Sequence, residues 1–294
     1  MNADTKLSMV LTTMACMRAM EAQRPPAERI FDDPFSRRLL PGAWKALLFP
    51  GLRHLVQASV ERRGPGSMGN LYCRTRYIDD ALQAALETGL DQVLILGAGF
   101  DSRAYQIAGI DGARVYEVDQ PAASRLKQAR VRQALGTLPP HVTYVPADLD
   151  REKLDDVLLA AGFETGVRTF VVWEGVTQYI TAEAVDATLR TLARLLAPGS
   201  QVAFTYIPLG IVDGSARSEI DEQFVAIARD NDMPWITGFD TAEMPAYLEA
   251  RGLTLVEEVW RPYYRQHYLA PLGRNIAVFG ERLALACFDG AREE

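Results

Sequence analysis

The residues best suited to chemistry stand where short apolar runs end. The run Gln92-Val-Leu-Ile-Leu96 leads into Gly97-Ala98-Gly99-Phe100-Asp101-Ser102-Arg103. Gly97 and Gly99 permit close backbone approach and positive φ, and Asp101 or Ser102 can cap the next helix. A dinucleotide fingerprint carries glycine where this chain has Ser102, which disfavours a tightly held pyrophosphate. Taken alone, the glycine turn serves packing as readily as binding. Asp119, within Val118-Asp119-Gln120-Pro121, stands twenty residues beyond Gly99, the distance at which a strand-end carboxylate accepts ribose hydroxyls. It could instead cap a helix beginning at Pro121. Glycine turn and acid together favour an adenosine-containing cofactor. The absence of a G-K-[ST] triplet points to one without phosphates.

Two further strand exits carry acids. In Ala147-Asp148-Leu149-Asp150 an acid beside an apolar residue suits an adenine amino group and ring, although either aspartate could cap a helix at 151. In Val172-Trp173-Glu174-Gly175, Glu174 closes a buried run. Unpaired, it would be costly, so it needs a ligand amino or sulfonium group or a nearby arginine. The chain has three histidines. His141 precedes a strand, and His54 lies in a predicted helix. His267, within Trp260-Arg-Pro-Tyr-Tyr-Arg-Gln-His-Tyr268, is the candidate general base. That aromatic stretch is expected to form a hairpin with cross-strand ring pairs, or else one wall of an acceptor pocket.

The elements that must position these groups are set by periodicity. A short apolar run at 92–97 and similar runs at 114–118, 142–145, 168–173 and 201–206 predict strands buried on both faces. Helical stretches at 102–108, 121–136, 151–161 and 181–196 alternate with them, which implies an α/β fold with a doubly wound parallel sheet. Residues 253–259 and 275–286, with no helix foreseen between them, predict an antiparallel pair at one edge. Helices are expected at 5–22, after Asp33-Pro34, at 43–61 and at 70–88, forming an N-terminal helical cap over 1–90 before a core over 91–294. Met9, Met14, Met17 and Met20 recur at helical spacing and predict an amphipathic first helix. The Gly64-Pro65-Gly66 stretch reads as a hinge within the cap. An insert over about 207–240, with Asp213-Gly214, Asn231, Pro234-Trp235 and Gly238, reads as a lid, and Tyr206 at its start is expected to face the crevice.

Composition narrows the classes. Of 294 residues, 31 are lysine or arginine and 38 aspartate or glutamate, a net charge of −7 that argues against a polyanionic partner such as nucleic acid. No apolar run reaches the length of a membrane span. The N-terminal stretch reads as helix rather than signal peptide. Three scattered cysteines suggest neither a disulfide framework nor a zinc site and fit a reducing, cytoplasmic compartment.

These segments together resemble the leucine carboxyl methyltransferase family, in particular its bacterial branch of S-adenosylmethionine-dependent O-methyltransferases of the polyketide-tailoring type. The likeness rests on Phe31-Asp-Asp-Pro-Phe35, Arg74-Thr-Arg-Tyr-Ile-Asp79, Leu94-Ile-Leu-Gly-Ala-Gly-Phe-Asp-Ser-Arg103, Tyr116-Glu-Val-Asp-Gln-Pro121, Ala147-Asp-Leu149, Trp173-Glu-Gly175, Tyr268-Leu-Ala-Pro-Leu-Gly-Arg274 and Glu281-Arg282. It implies a Rossmann-like class I methyltransferase sheet. It also implies S-adenosyl-L-methionine as cofactor, S-adenosyl-L-homocysteine as product, and no metal. By the same resemblance Arg74 would hold the cofactor carboxylate, and Gly97, Ala98 and Gly99 would pass beneath its methionine part. Asp119 with Gln120 would bind the ribose, Asp148 and Leu149 the adenine, and Glu174 with Gly175 would lie near the amino group; Asp101 and Arg103 join this cofactor set. The eukaryotic members carry a lysine where this chain has Asp32, so a second cationic grip would come from elsewhere, with Arg76 or Arg103 as candidates.

Methyl transfer from a sulfonium is an in-line displacement that depends mainly on alignment and exclusion of water. The expected acceptor is a carboxylate or phenolic hydroxyl of a small molecule, a natural product, with His267 and Tyr206 as candidate catalytic groups. The alternatives are methylation of a protein C-terminal carboxylate, a nicotinamide-dependent oxidoreductase, and a non-catalytic protein on the same fold.

Overall fold

Residues 3–230 and 233–289 are described by a computed structural model. The chain opens with α1 (Ala3–Ala22), α2 (Ser36–Leu39), α3 (Gly42–Lys45), α4 (Pro50–Arg63) and α5 (Ser67–Glu87). The first half of α1 is half-exposed, with Met9 at the surface, whereas Ala15 to Glu21 are buried without a break. That run includes Arg18 and Glu21, so the second half of α1 is enclosed on all sides and the helix is not amphipathic along its length. The helix foreseen over 43–61 is broken by a 3₁₀ turn at Ala46–Leu48, and α4 restarts with Pro50 at its first position.

The core alternates as its apolar runs dictate: β1 (Gln92–Leu96), β2 (Arg114–Asp119), α6 (Pro121–Leu135), β3 (Val142–Pro146), α7 (Leu154–Ala160), β4 (Thr169–Trp173), α8 (Ala182–Leu195) and β5 (Gln201–Tyr206). Then come α9 (Leu209–Asp213), α10 (Glu219–Asp230), α11 (Met244–Glu249), β6 (Leu253–Val259), α12 (Arg261–Tyr264) and β7 (Arg282–Phe288). The sheet order is β3-β2-β1-β4-β5-β7-β6, with β7 antiparallel to both neighbours. The chain leaves β1 toward β2 and returns to β4 on the other side, so strand order reverses between β1 and β4, where ligands of such sheets bind.

Strand alternation sorts the core into two layers. Val93, Ile95, Val115, Phe170, Val172 and Ala203 pack beneath α5 through Leu71, Ile78 and Leu82. Leu94, Leu96, Val118, Val171, Trp173, Val202 and Phe204 pack on the other face against α7, α8 and α11.

Three sequence expectations are corrected by the fold. No helix spans 102–108; two short 3₁₀ turns at Arg103–Tyr105 and Ile110–Gly112 replace it, because the Asp101 carboxylate is taken up by Arg103 and Gly109 takes a φ of 80°. The last two strands do pair antiparallel at one edge, but not as a simple hairpin. β7 inserts between β5 and β6, and 261–272 is helical, since Pro262 starts a turn and Tyr263–His267 and Tyr264–Tyr268 stack at four-residue spacing. The Gly64–Gly66 joint is packed rather than loose: Gly64 and Gly66 are buried, and a Cβ at Gly66 would meet the Phe279 nitrogen at 2.9 Å.

Gly69, one turn into α5, makes the closest approach of this joint. A Cβ there would stand 2.0 Å from the Ala277 carbonyl oxygen. Alanine at a helix interior ordinarily gains up to about 1 kcal/mol over glycine. Here the overlap with backbone reverses the sign, and Gly69→Ala is expected to destabilise the protein by about 1–3 kcal/mol, read as a lowered urea midpoint.

Candidate active site

Three backbone bonds and one buried ion pair shape the turn after β1. Ala98 N donates to Val118 O (3.0 Å), and Gly99 N donates to Asp119 Oδ2 (2.5 Å). Gln120 N donates to Asp119 Oδ1 (2.7 Å). Asp119 is therefore not a helix cap; each of its oxygens holds one backbone N–H and keeps a lone pair for a further donor. Burial raises its pKa, and the bonds from Gly99 and Gln120 oppose that. Lys127 Nζ reaches Ala98 O (3.2 Å) from α6 while paired to Glu117 Oε1 (2.7 Å), both nearly inaccessible to solvent. Burial pushes the Glu117 carboxyl up to about 7 despite Lys127. Gly97 takes a φ of 66°, and a Cβ on it would sit 2.2 Å from Val176 Cγ2, so the turn lies hard against the exit of β4.

At that exit Glu174 is surrounded by guanidinium groups. Its oxygens accept from Arg74 Nε (2.8 Å), Arg103 Nη1 (2.8 Å) and Arg18 Nη2 (3.0 and 3.1 Å). Burial alone would raise the Glu174 carboxyl; Arg18, Arg103 and Arg74 override it and hold it well below the usual carboxylate range. Arg74 also pairs with Glu281 (2.7 Å) ahead of β7, and Asn70 of α5 donates to the same carboxylate. Arg103 gives Nε to Asp79 (2.6 Å), Nη1 to Asp101 (2.5 Å) as well as Glu174, and Nη2 to Thr75 O (3.5 Å). Burial lifts Asp79 to about 7 even beside Arg103. Asp101 is likewise buried, but Arg103 holds its carboxyl below the ordinary value.

The structure thus brings Arg74, Gly97, Ala98, Gly99, Asp101, Arg103, Asp119, Gln120, Glu174 and Gly175 to one end of the sheet. Arg103 and Asp101 are spent on one another and on Glu174, so they brace the site from behind. Arg76 is not a second grip on a ligand. It is 42% exposed and pairs with Asp80, while Asp32 pairs with Arg29. Asp148 and Leu149 lie at the exit of β3. Asp148 accepts from Asp150 N, and Leu149 packs against the apolar layer that holds Trp173. Neither Asp148 nor Asp150 caps α7, whose flanking residue is Lys153. Ser102, standing where a dinucleotide fingerprint has glycine, donates to Asp33 (2.6 Å), which in turn caps Ser36 N (2.7 Å) and ties α2 to the turn.

Both candidate catalytic residues are corrected. Tyr206 is fully buried on the face of β5 shared with Val202 and Phe204, where its hydroxyl donates to Glu258. Strand alternation turns Thr205 toward the site instead, and its Oγ1 accepts from Gly175 N (2.8 Å). His267 is exposed, stacked on Tyr263 at 4.0 Å with Nδ1 2.9 Å from Tyr263 O. It belongs to a ring cluster with Tyr77 and Tyr268, not to the Glu174 cluster. From the same stretch Tyr264 is the buried tyrosine, packed in the layer that holds Leu71 and Ile78.

Arg18, Asp79 and Glu281 have no role that the sequence alone assigns. The Arg74-Thr-Arg-Tyr-Ile-Asp79 segment and the Glu281-Arg282 pair contain two of them, but only the fold shows which charges they meet. The insert does lie beside the β4 exit: Phe224, Phe279 and Trp235 stack at 4.3 to 6.1 Å, and Trp235 Nε1 donates to Tyr179 OH (3.4 Å). Asn231, named as part of that insert, falls outside the described residues.

The sheet order, the glycine turn and the strand-end acid fit a class I S-adenosylmethionine-dependent methyltransferase. The leucine carboxyl methyltransferase family matches residues 11–193, and the chain belongs to that family. It is 34% identical over 256 residues to a protein of Mycolicibacterium gilvum named among the S-adenosyl-L-methionine-dependent methyltransferases, covering 82% of this chain and 79% of that one. A similarly named protein of Streptomyces coelicolor is 30% identical over 230 residues (76% and 79%). In structure the chain resembles a protein of Thermobifida fusca described as a methyltransferase, with a TM-score of 0.59 at 16% identity, covering 92% and 96% of the two chains. A DUF574 family protein of Streptomyces avermitilis gives 0.54 at 19% identity, covering 81% and 91%. The cofactor is S-adenosyl-L-methionine.

Proposed function

We propose that this methyltransferase methylates an oxygen, a carboxylate or a phenolic hydroxyl, of a small natural-product acceptor. The observation that supports the reading is the aromatic cluster of Phe224, Phe279 and Trp235, stacked on one another beside Tyr179 a few residues beyond Glu174. On this reading the helices over 1–90 and the insert over 207–240 shape the acceptor pocket on a core over 91–294. The unpaired thiols of Cys16, Cys73 and Cys287 support a reducing, cytoplasmic setting.

The residues present fit the cofactor. Asp119 keeps a lone pair on each oxygen for the ribose hydroxyls, and the turn at Gly97 and Gly99 would pass beneath the amino-acid part. Glu174 is held ionised, so an ammonium could replace one of the arginine N–H groups on it; Arg74 over Gly175 would receive a carboxylate, and Asp148 and Leu149 would hold the adenine. When bound, the cofactor supplies an electrophilic methyl on a sulfonium. The protein's part is to aim the acceptor oxygen along the sulfur–methyl axis and to exclude water, and the Tyr179–Trp235 wall contributes both. A carboxylate needs no base, whereas a phenol gains from one.

Incubation with methyl-labelled cofactor and a panel of aromatic acids and phenols tests this. Label in a base-labile ester marks a carboxylate acceptor, and label in a base-stable ether marks a phenol. His267→Ala is expected to leave both rates within about twofold, given its exposure and its engagement with Tyr263; a selective loss for phenols would restore it as the base. Label found only on nitrogen, on carbon or on a protein C-terminus would overturn the reading.

A further inference from the structure

We infer that the outer side of α4 is a docking face for an anionic phospholipid bilayer, with apolar side chains entering the interface and the surrounding cations engaging headgroups. The inference stands apart from the cofactor reading and uses none of its residues. Phe49, Leu52 and Leu55 recur at three-residue spacing across the start of α4, which places them on one side of the helix. They are 68%, 40% and 67% exposed, and none of the fourteen residues of α4 is buried. The opposite side rests through Val56 on the layer of Leu39, Leu48 and Val131. Arg62 stands seven positions, about two turns, beyond Leu55, so the apolar stripe runs into the exposed pair Arg62-Arg63. Among the described residues no helix is long and apolar enough to cross a membrane, so the contact is with one leaflet.

The charge around this side has one sign. Between Asp33 and Asp79 the single acid is Glu61, and it is engaged within the cap, accepting from Gly66 N (3.0 Å). The same span holds Arg37, Arg38, Lys45, Arg53, Arg62 and Arg63 ahead of Arg74. Of these, Arg37, Lys45, Arg53, Arg62 and Arg63 have no ion pair among the described residues. The pattern continues into α6, where Gln120 to Ala147 contain no acid, and Arg38 Nη2 donates to Ala134 O (2.6 Å) to join α2 to that helix. A chain of net charge −7 therefore carries a basic face on its helical cap. Charge and shape together select the occupant. A second copy meeting the first through this face would set like charges against each other. Leucines at two of the three protruding positions give nucleic-acid bases no ring to stack on. Protruding apolar side chains flanked by arginines match a leaflet of anionic lipid, whose acyl boundary takes the former and whose headgroups take the latter.

Sedimentation of the full chain with vesicles tests this. Vesicles of phosphatidylcholine mixed with phosphatidylglycerol should bind it at least about tenfold more tightly than phosphatidylcholine alone, and the binding should weaken as salt is raised. Replacing both Arg62→Gln and Arg63→Gln should weaken it about 10- to 30-fold, and replacing both Phe49→Ser and Leu55→Ser by a similar factor. Thermal midpoints should stay within about 2 °C of the parent, because all four side chains are exposed. If the serine pair lowers the midpoint, Leu55→Ala alone carries the apolar comparison. No binding to either vesicle, equal binding to both, or binding that ignores the apolar substitutions would each overturn the proposal. So would a dimer in analytical ultracentrifugation that Leu55→Glu dissociates while vesicles are not bound, since the face would then be a self-contact. A DNA duplex that binds more tightly than the anionic vesicles and is indifferent to Leu55→Ser would overturn it as well.

Discussion

Glu174→Ala is expected to cost about 3–5 kcal/mol of stability, the usual penalty for removing one partner of a buried ion pair. The loss falls unevenly on the three arginines. Arg103 keeps Asp79 and Asp101, and Arg74 keeps Glu281, but Arg18 pairs with no other carboxylate among the described residues and is left buried and charged. Urea denaturation should show the shift, and a midpoint within experimental error of the parent would refute the idea that Glu174 organises this end of the sheet. Glu174→Gln separates stability from binding. It keeps shape and one acceptor, so it should lose less stability yet weaken S-adenosylhomocysteine about 10- to 100-fold, because a neutral amide receives an ammonium poorly. The pH dependence has a defined sign. Glu174 has a folded pKa below its unfolded one, so its contribution is complete above the ordinary carboxylate range and declines as pH falls through its depressed folded value. The Gln variant should lack that acid-side component.

Asp119→Ala should weaken S-adenosylhomocysteine at least about a hundredfold, since two hydrogen bonds to an ionised acceptor are lost at roughly 1.5–3 kcal/mol each. Methylthioadenosine should be affected equally, as it retains the ribose. The substitution also strips Gly99 N and Gln120 N of their acceptor, so part of the loss reflects a loosened turn. Asp119→Asn keeps an acceptor for one of those amides and should fall between parent and Ala. Calorimetry that finds S-adenosylhomocysteine bound as tightly to Asp119→Ala as to the parent would place the ribose elsewhere.

How far the site was legible depends on whether a residue's role is local. Gly97, Gly99, Asp119 and Glu174 could be picked out because each ends an apolar run, and a parallel sheet delivers such ends to one edge. Tyr206 was misplaced by the same reasoning, since the strand's alternation and its bond to Glu258 decide its direction, not its nearness to the strand end. His267 looked catalytic by residue type within an aromatic stretch; a helical turn stacks it on Tyr263 at the surface. Arg18 gave no signal, because nothing near it along the chain shows that it meets a carboxylate 156 positions away.

What the amino-acid order determined by itself is the alternation of buried strands and helices and the polar residues at each strand's exit, since both arise from neighbours within a few positions. The tertiary structure alone decided that β7 enters between β5 and β6 and that three arginines from α1, α5 and the turn after β1 converge on Glu174. It also decided that Ser102 serves Asp33 rather than a phosphate. These are long-range pairings of charge and backbone, whose energy depends on burial and distance that no local pattern encodes.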